Sequence, residues 1–108
     1  MASEYKAVLT ETAKKDLDDS VSYIYYGLSN PIAAEAHLKR FSDVLGEILL
    51  FPFSSPEIDN ELVTVQGIRK KPFGNYMIYY LPDKENCVIT ILRVVYGHQD
   101  IMNVLSSL

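Results

Sequence analysis

The side chains best suited to chemistry gather in the C-terminal part of the chain. Arg69, Lys70 and Lys71 stand together, Arg93 follows, and Tyr96 and His98 lie close behind it. An arginine fork suits a phosphate or a carboxylate, and lysine supplies a compact point charge. Imidazole titrates near neutrality, which suits His98 to proton transfer. Each residue also has an ordinary structural use. Arg69 and Arg93 can pair with acidic side chains and tie strands together. Lys70 and Lys71 can be solvated ahead of Pro72, Tyr96 can pack against a final helix, and His98 can be an exposed loop histidine.

These residues need a frame, and the stretch 67–98 supplies most of it. It is rich in β-branched and aromatic residues and should be the sheet. Leu62–Val65 and Ile68–Lys71 are its opening segments, with Gly67 a bulge candidate. Gly74-Asn75 marks a turn and Tyr76–Leu81 the next strand. Residues 82–86 form a hairpin loop, and Cys87–Val95 is apolar on both faces, as a central strand would be.

Upstream, Tyr5–Leu9 reads as a short strand with Tyr5, Ala7 and Leu9 on one face. Thr10 can cap a first helix from Glu11 to Leu28, along which Ala13, Leu17, Val21, Ile24 and Leu28 form an apolar stripe. Asn30-Pro31 restarts a second helix that runs to Leu50, with Ala34, Leu38, Phe41, Leu45 and Ile48 as its seam. Glu35 and Lys39 can form a supporting pair on it, and His37 is structural or at the surface. The segment 51–56 holds two prolines and is a loop. Asp100 can cap a last short helix through Leu105. The order is β-α-α-β-β-β-α, an α+β fold with a helical hairpin packed on one face of a mainly antiparallel sheet.

The bulk properties agree with one domain over residues 1–108. The net charge is −4, which opposes binding of nucleic acid over a broad face. The single cysteine, Cys87, has no partner for a disulfide and reads as a buried thiol. The N-terminus lacks an apolar leader, and no run approaches the roughly 20 residues of a membrane span. A cytoplasmic protein is expected.

Taken together, Leu9–Leu17, Asn30–Ala34, Leu50-Phe51-Pro52, Gly67-Ile68-Arg69, Asn75–Tyr80 and Ile91–Asp100 resemble, in order and spacing, the RelE/ParE superfamily of toxins from type II toxin–antitoxin, or plasmid stabilisation, modules. The resemblance covers nearly the whole chain. It implies a growth-inhibiting toxin neutralised by a cognate antitoxin, alone or in a hetero-oligomer with it, or as a homodimer. It implies no cofactor and no metal. RelE-like members cut mRNA on the ribosome, and ParE-like members inhibit DNA gyrase.

For RNA cleavage through the 2′-hydroxyl, a base, a phosphate clamp and an acid are required. The resemblance casts Arg69, Arg93 and His98 as the catalytic candidates, with Lys70, Lys71 and Tyr96 binding substrate. Two departures weigh against that metal-independent endoribonuclease. Met77 stands where such enzymes carry an arginine after the middle-strand tyrosine, and the chain is acidic where they are basic. A ParE-like, gyrase-directed toxin is therefore favoured over the ribonuclease. A non-toxic relic that only binds antitoxin is the third reading.

Overall fold

A computed structural model describes residues 4–97 and 101–108. Its elements are β1 (Lys6–Leu9), α1 (Glu11–Ser22), a π-helical turn (Tyr23–Gly27), α2 (Pro31–Leu50), β2 (Arg69–Phe73), β3 (Tyr76–Asp83), β4 (Val88–Tyr96) and α3 (Ile101–Ser106). The strand order is β1-β4-β3-β2. β4 is interior, as its two-sided apolar sequence demands. β2–β3 and β3–β4 are antiparallel, whereas β1 runs parallel to β4.

Both caps expected from sequence form. Thr10 Oγ1 accepts from the Ala13 N–H at 3.0 Å, and Asn30 Oδ1 accepts from the Ala33 N–H at 3.0 Å, with Pro31 opening α2. Each satisfies a backbone donor that has no partner within its helix.

The two faces of the sheet are covered differently. On the helix face, Ala13, Phe41 and Ile48 pack on Phe73, Ile78, Tyr80, Ile89, Ile91 and Val94. On the opposite face, Val104 and Leu105 of α3 join Ile58, Leu62 and Val63 over Tyr79, Met77, Leu92 and Val95. A bulge in β4 makes this division possible. Tyr80 faces Ile91 but Tyr79 faces Arg93, so Leu92 is the extra residue. The insertion reverses the alternation along β4: Ile89, Ile91 and Val94 face the helices, and Leu92, Arg93 and Val95 face α3.

Several expectations change. Leu62–Val65 is not a strand. Asn60 turns the chain there, taking the Leu62 N–H on its side chain and the Val63 N–H on its carbonyl, and Leu62 and Val63 serve as a cover for the sheet while Val65 stays exposed. Gly67 lies in the turn before β2 at φ 91°, not in a bulge. The first helix stays α-helical only to Ser22 and then widens into the π-turn. Leu28 and Leu38 are exposed, and His37 takes an inward position on α2 beside Ala34, Phe41 and Ile48. Lys39 pairs with Asp43 at 3.1 Å rather than with Glu35. β3 continues through Pro82 because β2 pairs only as far as Tyr80, so the missing proline N–H faces no neighbouring strand. Cys87, at φ 53° and half-buried, belongs to the turn rather than to β4. The proposed Asp100 cap lies outside the described residues.

Candidate functional site

Pairing register sorts the candidate residues by face, because directly opposed residues in a sheet point the same way. Arg69, opposite Tyr80, and Lys71, opposite Ile78, point to the helix face. Lys70 and Arg93 both oppose Tyr79 and share the α3 face. Tyr96 opposes Tyr76 on the helix face. The structure thus sets Arg69 and Arg93 on opposite sides of the sheet, and His98 lies outside the described residues.

Both guanidinium groups are already engaged. Arg93 makes a two-pronged pair with Asp16 of α1, Nε to Oδ2 at 2.7 Å and Nη2 to Oδ1 at 3.1 Å, and Nη1 donates to Ser107 Oγ at 2.7 Å. Both charged side chains are about 15% exposed. Asp16 also accepts the Val94 N–H at 3.1 Å. The need for this is topological: β1 ends at Leu9 opposite Ile91, so the edge of β4 beyond it would lack a partner. Thr10 Oγ1 satisfies Leu92 O, and Asp16 satisfies the next donor.

Arg69 serves the loop after α2. Its Nη1 donates to the carbonyls of Phe53 and Ser55, Nη2 lies 3.5 Å from Glu57, and the guanidinium sits 5.2 Å from the centre of the Phe53 ring. Its Nε and the hydroxyl of Tyr80, on the same cross-strand pair, are buried without a hydrogen-bond partner. Lys71 reaches Glu47 of α2 at 3.4 Å, whereas Lys70 is exposed.

A second constellation emerges only in three dimensions. His37 is buried against Phe73 and Tyr76, with ring centres 5.1 and 4.6 Å away. The Ser20 hydroxyl donates to Leu17 O at 2.8 Å, which leaves its oxygen to accept from His37 Nε2 at 2.9 Å. Burial, and secondarily the charge of Arg40, hold His37 below the ordinary imidazole value. Burial likewise raises the Tyr76 phenol, with Tyr23 and Tyr96 adding to the effect. These rings line a cleft of about 630 Å³ between the hairpin tip and the Gly74-Asn75 turn. Sequence reading did not assemble it. The available signals were the spacing of His37 with Ala34 and Phe41, and the run of tyrosines at 23–26.

Among the described residues, no group of three or more His, Cys, Asp or Glu side chains is placed to hold a metal ion. Among the same residues, no helix is long and apolar enough to cross a membrane.

Residues 7–101 match the family described as the ParE toxin of the type II toxin–antitoxin system parDE. The chain belongs to this toxin family. No curated protein gave a significant match. Among solved structures, this ParE-family chain is similar to one in the toxin–antitoxin complex RelBE2 from Mycobacterium tuberculosis, at 25% identity and TM-score 0.60, covering 85% of this chain and 96% of that one. It is also similar to one in the chromosomal ParDE system of P. aeruginosa, at 18% identity and TM-score 0.64, with 85% and 95% covered. A third likeness, to an archaeal RelE–RelB complex from Pyrococcus horikoshii OT3, has 18% identity and TM-score 0.52, with 89% and 98% covered. The last two speak to the fold alone, and both RelE and ParE branches occur among the three.

Proposed function

We propose that this toxin acts on a protein target, in the manner of gyrase-directed ParE toxins, and is neutralised by a cognate antitoxin. The observation that carries the reading is the engagement of Arg69 and Arg93. Each is tied into the fold, and they face opposite sides of the sheet. A phosphate clamp for 2′-hydroxyl attack needs cations converging on one point. On the α3 face, where Lys70 and Arg93 share a row, Met77 supplies no charge.

The hairpin tip adds support. Tyr26 and Ile32 are 76% and 81% exposed, and Leu28 is exposed beside them. Such a patch suits contact with another protein. The similar solved chains occur in toxin–antitoxin complexes, which supports an antitoxin as one partner.

The test is induced expression with and without the neighbouring antitoxin frame, with DNA supercoiling and mRNA integrity followed in the same cells. Loss of supercoiling, inhibition of purified gyrase by stoichiometric toxin and intact mRNA are the expected results. Codon-phased mRNA cuts that disappear in His98→Ala would establish the ribonuclease reading instead. No growth inhibition, with antitoxin binding intact, would leave the chain a non-toxic antitoxin binder.

A further inference from the structure

Neither arginine of the sheet is available to an outside anion, which directs attention to Arg40. It is exposed at the mouth of the aromatic cleft and enters none of the ion pairs among the described residues. The cleft behind it has a volume typical of a small-molecule site. Tyr76 is half-buried within it, braced by His37 and Phe73 with ring centres 4.6 and 5.6 Å away. Tyr23 and Tyr96 remain 58% and 45% exposed, and Tyr96 stands edge-on to Tyr76 at 5.5 Å. Tyr76 and Tyr96 are thus held against one another, while Tyr23 and Tyr96 keep part of their surface open.

The cleft continues into a smaller one of about 290 Å³ that shares Tyr23, Tyr76 and Tyr96 and ends at Asp16, Asp19 and Ser20. Asp16 is committed to Arg93, but the Asp19 pair with Lys15 uses Oδ2. Arg40 thus lines the larger cleft, Asp19 lines the smaller one, and the three tyrosines are common to both.

We propose that this cleft binds a single nucleotide: its phosphate on Arg40, its base against Tyr23 and Tyr96, and an exocyclic amino group of the base donating to Asp19. A guanidinium matches a phosphate, and bases stack on aromatic side chains whatever their sequence. An amino-bearing base has the donor that the far end accepts. The net charge of −4 disfavours a longer polyanion on this chain. The site uses neither Lys70 nor the Arg93 guanidinium, although it abuts the Asp16–Arg93 pair and includes Tyr96.

The test is a titration of the full chain with AMP, CMP, UMP, adenosine and inorganic phosphate, read by calorimetry and by NMR of the tyrosine rings. Saturable binding of AMP and CMP that moves the Tyr23 and Tyr96 resonances is expected, with UMP weaker. Arg40→Ala and Tyr96→Ala should each weaken AMP about tenfold, as should removal of the phosphate in adenosine. Lys39→Ala, on the same helix but paired with Asp43, should leave binding unchanged. The proposal fails if no nucleotide saturates by about 10 mM, a range well weaker than specific small-ligand binding. It also fails if Arg40→Ala binds as wild type, or if inorganic phosphate reproduces the AMP shifts. Protection of the cleft by antitoxin alone, without nucleotide binding, would assign it to a protein partner and overturn the proposal.

Discussion

Asp16 carries more of this fold than its place on a surface helix suggests. It neutralises Arg93 and caps a strand edge at once. Asp16→Ala should destabilise the chain by about 3 kcal/mol, since it strands a mostly buried guanidinium and an amide together; urea melts check this. Tyr80→Phe should do the reverse. It removes a buried hydroxyl that has no partner, so its unfolding free energy should hold or rise by up to about 1 kcal/mol. His37 gives a pH dependence of definite sign. Its folded-state value lies below the ordinary 6.5, so the unfolded chain takes up a proton more readily. Stability from this residue is present above the unfolded value of about 6.5 and is lost progressively as pH falls below it and through the lower folded value. The melting temperature of wild type should therefore drop with acid more steeply than that of His37→Asn. Sequence reading allowed an acidic partner for Arg93 and a structural place for His37, but it could not name Asp16, because Asp16 and Arg93 are 77 residues apart and nothing local couples them. The arginines were visible as candidates, but their ion-pair and carbonyl partners were not.

Helix boundaries were the most legible elements. α2 begins and ends where sequence reading put it, because Asn30-Pro31 and Phe51-Pro52 are signals that act within a few residues. Strand edges set by pairing were less legible. Leu62–Val65 has strand composition, yet it pairs with no strand, and Leu62 and Val63 are used as a lid. The π-turn was also hidden. Within it Gly27 packs tightly: a Cβ there would stand 3.0 Å from the Tyr23 ring. Alanine scanning of two helical glycines tests this. Gly46→Ala meets nothing within 4 Å and should stabilise by about 0.5–1 kcal/mol. Gly27→Ala should yield no such gain and should displace Tyr23, which tyrosine ring shifts would report.

At the scale of the molecule, the fold was almost wholly legible, whereas the action of the toxin was not. The ordered motifs that mark the superfamily are mostly the motifs that build it: caps, turns and core strands. A reaction depends on which side chains remain uncommitted after folding, and that is decided by tertiary pairing.

The parallel pairing of β1 with β4 bears on when the toxin can exist. Thr10 bonds to Leu92 across 82 residues, so the first strand has no partner until the last one has been made. On a translating ribosome the helical hairpin emerges early, with its sheet-facing side uncovered, while β1 waits for nearly the whole chain. Closure of the sheet thus waits on the synthesis of β4. An antitoxin already present meets a toxin that is still unfinished, and a prematurely terminated chain lacks the strand on which its own N-terminus must dock.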